Sequence, residues 1–359
     1  AGNGGAGGTG AGGTGGRGGG LVVEAPSTGG FTLNGSTLTG NRSGRGGASS
    51  SGFGGGGGDG GALYLRMSGS ATRATVALDG HSPRAGRDGA PGGGAGGDGG
   101  GLSAVLLNGA DLTLTEVDLL NNSTGNGGSG TAGPGDFGGF GGGVYVVALT
   151  GGSVGLDTVR AEGNSTGDGG DGVTVGGSGG YGGGLAIRSN ASPSYSIVDS
   201  SIAGNVTGSG GDASGPDAAS GTGGFGAGLY LVAGDQPTDQ GVIEIESTSV
   251  VSNTAGPGGT GGPDGPDGGD LPGISRDGGS GAGIYLRTGS AAGASVDISN
   301  TTIHGNVSTA GPGGPGPGGG VFADDFTRIV NFTHATITAN LGNNGDALSS
   351  LADDVTMNR

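Results

Sequence analysis

The feature that most restricts this chain is a pair of landmarks recurring along nearly its whole length. The first is an apolar residue preceded by two or three Gly or Ala residues, at Leu21, Leu63, Leu102, Val144, Leu185, Leu229, Ile284 and Val321. The second is a small residue followed by Asn, at Asn41, Asn122, Asn164, Asn205, Asn253, Asn306 and Asn340, with His81 in that place in the second repeat. From first landmark to second the spacing is 20, 18, 20, 20, 20, 24, 22 and 19 residues. From the second landmark to the next first one it ranges from 15 to 31. A nearly constant unit alternating with a variable one is what a stacked coil with tolerated insertions should look like.

Apolar residues hold fixed columns inside the constant unit. Leu33, Leu114, Leu156, Ile197, Ile245, Ile298 and Phe332 lie eight residues before the Asn. Phe31, Leu112, Val154, Tyr195, Ile243, Val296 and Val330 lie ten before it. Leu38, Leu78, Leu119, Ala161, Ile202, Val250, Ile303 and Ile337 lie three before it. A separation of two is strand alternation, and the separation of five between the columns at eight and three breaks it, which predicts a turn there. The segments are too short, too β-branched and too surrounded by Gly and Asn for helices. The fold class this predicts is all-β: a right-handed parallel β-helix of about eight coils, in which no coil buries its own core but the stack does.

The residues Gly141–Val146 (Gly-Gly-Gly-Val-Tyr-Val) and Asn300–Gly314 (Asn-Thr-Thr-Ile-His-Gly-Asn-Val-Ser-Thr-Ala-Gly-Pro-Gly-Gly) resemble the right-handed β-helix repeats of secreted bacterial surface proteins, including the polymorphic outer-membrane-protein repeats. The resemblance covers about residues 17–345. It implies a fold and a cell-surface habit, and no reaction. The insertions here are far richer in Gly than that family's pattern.

Composition narrows the function classes. The chain has 104 Gly among 359 residues, a net charge of −17, and neither Cys, Lys nor Trp. Disulfides and thiolate ligands are therefore excluded. With only 13 basic residues, all Arg, a face that neutralises nucleic-acid phosphates is not expected. No apolar run is long enough to span a membrane as a helix. The sequence starts at Ala1 without a signal peptide, which reads as a mature or trimmed form of an extracellular protein.

The insertions carry their own period. Gly4, Gly7, Gly10, Gly13, Gly16 and Gly19 recur every third residue, as do Gly256, Gly259, Gly262, Gly265 and Gly268. Another arm repeats at Gly167, Gly170, Gly176, Gly179 and Gly182. Three residues per turn is the period of a polyproline-II-type helix. Two readings stand: arms packed as a polyglycine-II bundle, or flexible Gly-rich linkers. Phe140, Tyr181 and Phe225 each lie four residues before a strand landmark and would stack in one column. Tyr64, Tyr145, Tyr230, Tyr285 and Phe322 form a second column, the outward second place of the first strand, which either packs under the arms or meets sugar rings.

Sites that could carry chemistry are few. Ten Asn residues stand in Asn-X-Ser/Thr triplets, and five of them, Asn41, Asn122, Asn164, Asn205 and Asn306, fall on the recurring Asn. Those five are expected either in an internal side-chain ladder or as glycan acceptors. Glu244 and Asp297 are stacked carboxylates in one column, and Asp264, Asp267 and Asp270 lie at triplet spacing on one arm. Both groups are weak Ca²⁺ candidates, and no other cofactor is expected. His81, His304 and His334 lack metal-ligand spacing.

The sequence divides into a glycine-rich arm (1–16), β-helix repeats with inserted arms (17–345) and a C-terminal segment (346–359), a continuation of the helix or a subunit contact. The expected function is that of a non-catalytic extracellular structural protein, a surface filament subunit or elongated module that associates with itself end to end through open strand edges. The alternatives are an adhesin for glycans or another cell, and a polysaccharide-active β-helix enzyme.

Overall fold

The computed structural model describes residues 1–25, 31–68, 72–234, 236–263, 276–324, 327–343 and 345–358. These residues form strands and no helix, arranged as a parallel β-helix. One coil illustrates the rest. Its strands are Val144–Ala148, Ser153–Asp157 and Arg160–Glu162, and the next coil repeats them as Leu185–Ser189, Ser194–Val198 and Ser201–Ala203. Val144 pairs with Leu185, Val154 with Tyr195 and Ala161 with Ile202, all in parallel. The predicted columns are therefore the register of the sheets.

Nine first strands, from Leu21–Ala25 to Leu348–Ser350, form one sheet. Second and third strands form two further stacks, joined where the long strand Thr72–Asp79 runs through both. The count of nine agrees with the about eight coils expected, the ninth being the C-terminal one. Leu348–Ser350 and Asp354–Asn358 pair with Val321–Ala323 and Ile329–Thr333, so the C-terminal segment continues the helix. That coil has neither the long glycine lead-in nor the Asn, which is why the landmarks missed it.

Residues in the left-handed region recur at three places along the coils. Three residues before the first strand stand Gly60, Gly99, Gly141, Gly182, Gly226, Gly281 and Gly318, at φ 59–68°. There a side chain would be strained and would also meet the strand's own backbone; a Cβ on Gly141 would lie 2.3 Å from the Val144 carbonyl oxygen. The residue before each Asn is the second such place, as at Gly163 (φ 65°) and Gly204 (φ 61°). The third lies in the break between the columns at eight and three, where Glu116, Thr158, Asp199, Ser247, Asn300 and His334 take φ 48–56° without being Gly. A non-Gly residue there costs about 1–2 kcal/mol, which the two flanking parallel ladders hold in place.

The inward columns make the core. Leu114, Leu156, Ile197, Ile245, Ile298 and Phe332 are buried in one stack, and Leu119, Ala161, Ile202, Val250 and Ile303 in another. Full burial of each large aliphatic side chain stabilises by about 1.5–3 kcal/mol. The buried apolar residues of the coils form one continuous cluster from Ala62 to Phe332.

Candidate functional site: the glycine arms and the columns that anchor them

The recurring Asn residues form the ladder that fixes where each arm leaves the coil. Asn164 uses its whole amide. Its Oδ1 accepts the Asn122 backbone N–H and the Asn122 Nδ2 (3.0 Å each), and its Nδ2 donates to the Leu119 carbonyl (2.8 Å) and to Asn205 Oδ1 (3.0 Å). Asn205, Asn253 and Asn306 repeat this pattern, ending at Asn340. Asn122, Asn164, Asn205, Asn253 and Asn306 are wholly buried. Asn41 is half-buried at the start of the column.

His81 takes the Asn position by mimicry. Its Nδ1 accepts the Asn41 N–H (2.9 Å), as Oδ1 would, and its Nε2 lies 2.8 Å from the Leu38 carbonyl, as Nδ2 would. That pairing requires the neutral ring protonated on Nε2. Burial is the main cause holding the imidazole below its usual range, opposed by the Leu38 hydrogen bond and the Asp79 carboxylate.

A second column went unread in the sequence. Two residues after the ladder Asn stand Ser43, Thr124, Thr166, Thr207 and Ser308, all buried. Each hydroxyl joins three chain segments. Thr166 Oγ1 donates to the Gly180 carbonyl on the returning strand of its own arm (2.7 Å) and accepts the Gly208 N–H of the next arm (2.9 Å). Thr124 and Thr207 do the same toward Gly139 and Gly224 (both 2.7 Å). The triplets at Asn122, Asn164, Asn205 and Asn306 are therefore one internal motif: the Asn seals the corner and the hydroxyl ties down the base of the arm. The two matched residues recurred together, but nothing in one triplet distinguishes this use from a surface acceptor.

Each fully described arm is a hairpin of two extended strands, and these arms pack as a two-layer bundle with polyglycine-II hydrogen bonding. Within an arm, the Gly58 N–H donates to the Gly44 carbonyl and the Gly55 N–H to the Gly47 carbonyl (2.9 and 2.8 Å). Between arms, Gly125 donates to Gly97 and Gly128 to Gly94 (3.1 and 2.8 Å), while Gly57 donates along its layer to Ala95 (2.9 Å). Three-fold symmetry directs successive N–H groups inward, sideways and outward. Two of every three residues must then be Gly, because their Cα faces a neighbouring backbone: a Cβ would lie 2.1 Å from a carbonyl oxygen at Gly55, 1.9 Å at Gly57 and 2.1 Å at Gly58. The third faces outward, and a Cβ on Gly56 would meet nothing nearer than 3.5 Å. The arm 1–16 belongs to this bundle, with Gly13 and Gly16 bonded to Gly5 and Gly2.

Side chains seal several outward N–H groups of the layer that leaves the coils. Asp88 accepts the Ser129 N–H, Asn126 that of Asp168, Asp168 that of Ser209, Asp171 that of Asp212, and Asp212 that of Thr260 (2.7–3.2 Å). This gives the acidic and amide residues of the arms a structural use: they supply acceptors, which Lys and Arg cannot.

The two aromatic columns interlock between the bundle and the first sheet. Phe140, Tyr181 and Phe225 stack with centroids 4.9 and 4.8 Å apart, and Phe225, Tyr230 and Phe322 lie 5.5, 5.0 and 5.5 Å from Tyr285. Tyr64 is buried, and Arg17 lies 4.9 Å over its ring. Burial pushes the hydroxyls of Tyr145 and Tyr285 well up and that of Tyr230 to about 12. Asp324, nearly buried, accepts from Tyr285 (2.7 Å) and Arg287 (2.6 Å) at one end of this seam.

At the other end the aromatic column gives way to Arg17, Asp59 and Asp98. Asp59 accepts from Arg17 Nε (3.1 Å) and from the Asp98 N–H (3.3 Å), and Asp98 accepts the Phe140 N–H (2.8 Å). Burial first, then the neighbouring Asp59 carboxylate, pushes Asp98 up to about 8, while burial also raises Asp59. Asp59 and Asp98 occupy in their own arms the place that Phe140 and Tyr181 hold in theirs, a column whose aromatic members alone stand out in the sequence.

The metal candidates fare differently. Asp264, Asp267 and Asp270 lie outside the described residues. Glu244 and Asp297 are neighbours in register on an exposed sheet face, with Asp297 bonded to Asn331 Nδ2 (2.8 Å) and Ser295 Oγ (3.3 Å). Among the described residues no group of three His, Cys, Asp or Glu side chains is placed to hold an ion. His304 and His334 lie apart from His81, on the corners and outer face of the third strands.

The fold and these columns define a class: a parallel β-helix braced along one side by a polyglycine-II bundle. No family model matches the chain, and comparison with curated proteins and with solved structures finds no match either.

Proposed function

We propose that this chain is a non-catalytic structural module of an extracellular or cell-surface assembly, a stiff rod that extends by stacking further coils on its ends. The observation that carries this reading is the bundle itself. Its hydrogen bonds couple each arm to the arms of neighbouring coils, so bending the stack strains two hydrogen-bonded systems instead of one. The end coils support the mode of extension. At one end Leu21, Val23, Leu33 and Leu38 are only partly buried against the core. At the other, Phe332, Ala335, Ile337, Leu348 and Met357 line an apolar depression of about 240 Å³. Both surfaces continue the pairing register of the stack and would accept another coil, from the same polypeptide or from a second copy.

Nine coils span about 38 Å at the ordinary spacing of sheet strands. Negative-stain microscopy and light scattering over a concentration series test the proposal. Rods longer than one module, lengthening with concentration, are expected. Discrete particles of one module at every concentration would overturn the end-to-end mode.

A further inference from the structure

The two faces of the bundle are not alike. In the layer leaving the coils, Asp and Asn side chains seal the outward N–H groups of Ser129, Asp168, Ser209, Asp212 and Thr260. The returning layer leaves several open. Phe53, Val175 and Ser178 occupy outward positions, and their backbone N–H groups have no hydrogen-bond partner among the described residues. The same layer carries exposed apolar side chains, with Phe53 55% exposed and Phe137 and Val175 46% each. These residues surround one groove of about 310 Å³, floored by Gly92, Gly93, Gly176 and Gly177 and edged by Pro134. Phe53 lies against the third arm, so close that a Cβ on Gly92 would sit 2.8 Å from its ring. The glycine floor is what lets a ring rest on the backbone.

We propose that this groove binds an uncharged saccharide. Three properties select that ligand class. Exposed Phe rings beside Pro134 and Val175 offer flat apolar contact to the C–H face of a pyranose. The outward N–H groups of Phe53, Val175 and Ser178 offer hydrogen bonds to ring hydroxyls, at the threefold spacing of a rigid backbone. Asp136 is the one charged residue in the lining, and the chain as a whole carries −17. Nucleic acids and acidic polysaccharides are therefore disfavoured, and a neutral hexose polymer is not. The volume is at the lower end of small-ligand sites, enough for one or two sugar rings. A second copy of the chain is the competing occupant, but it would bring another acidic bundle against this one.

The test uses the whole chain and a panel of cellulose, β-1,3-glucan, α-mannan, chitin and polygalacturonate, with calorimetry on short oligosaccharides of any polymer that retains the protein. Retention by at least one neutral polymer is expected. Phe53→Ala and Phe137→Ala should each weaken it about tenfold, the scale of one lost aromatic contact. Leu351→Ala, an exposed apolar side chain elsewhere, should leave it unchanged. No retention by any neutral polymer, preference for polygalacturonate, or affinity indifferent to both Phe substitutions would overturn the proposal. So would a dimer in light scattering that either Phe substitution dissociates, which would assign the groove to a second copy. Rods that bind no saccharide would overturn this inference and leave the structural role standing.

Discussion

The packing of the arms makes a sharp prediction about two adjacent glycines. In Gly57→Ala the new Cβ would sit 1.9 Å from the Arg84 carbonyl oxygen and 2.7 Å from the Gly97 nitrogen. Both obstacles are backbone, so neither can rotate away. The strands must part by more than 1 Å to reach ordinary contact, which loosens the Gly57–Ala95 and Gly58–Gly44 hydrogen bonds. Overpacking costs about 1–3 kcal/mol, and two weakened hydrogen bonds add about 0.5–1.5 kcal/mol each. The sum is about 2–6 kcal/mol. In Gly56→Ala the Cβ faces outward with its nearest neighbour at 3.5 Å. Gly56 is not in the left-handed region, so Ala should stabilise by about 0.4–1 kcal/mol by restricting the unfolded chain. Amide hydrogen exchange resolved to the arm peptides is the suitable assay, because an arm can open without unfolding the coils. Faster exchange around residues 44–58 and 84–97 is expected for Gly57→Ala, with unchanged or slower exchange for Gly56→Ala. Equal behaviour of the two variants, or exchange already fast in the parent, would refute close packing of the arms.

Four further outcomes follow from the anchoring columns. Asn205→Ala strands the buried N–H and Nδ2 of Asn164 and should cost about 2–6 kcal/mol in urea unfolding, against less than about 0.5 kcal/mol for the exposed Asn190→Ala. Thr166→Val removes the link between Gly180 and Gly208 and should lower stability by about 1–3 kcal/mol, whereas Thr166→Ser should restore most of it. Asp98 is raised to about 8 in the folded state, so the folded chain holds a proton that the unfolded chain releases near the ordinary carboxylate value. Its contribution to stability is full below about pH 4 and falls as pH rises through 8; Asp98→Asn should therefore gain on the parent between pH 5 and 9 in thermal melts. His81 has the opposite sign: its folded value is lowered, so stability falls as pH drops below about 6.5, and His81→Asn should remove that loss because Asn makes the same two bonds without titrating.

The fold was legible because a parallel stack forces equivalent residues into columns. Leu156 lies above Ile197 and Val154 above Tyr195 at constant distance from the same Asn, so register could be counted along the chain. The last coil was legible only as one of two alternatives, a continuation or a subunit contact, because Leu348–Ser350 joins the sheet without either landmark. Non-Gly corners such as Glu116 and Thr158 were hidden: their left-handed backbone is imposed by the strands on either side and leaves no mark in residue type.

Sequence alone determined that the chain repeats, that the repeats are strands, and that the arms have a period of three. Those are local facts, set by alternation, by glycine spacing and by the recurring Asn. Only the tertiary structure decided what the periods are for. A triplet of Gly, Gly and an outward residue is a linker in isolation; it becomes a brace when neighbours 41 or 42 residues away supply the carbonyls, as Arg45 does for Gly4 and Asp168 for Gly127. An Asn-X-Thr triplet is a surface acceptor in isolation; burial of Asn164 and Thr166 makes it an internal clamp. In both cases a hydrogen-bond partner lies a full coil away, as Asn205 does for Asn164 and Gly208 for Thr166, where no local pattern can specify it.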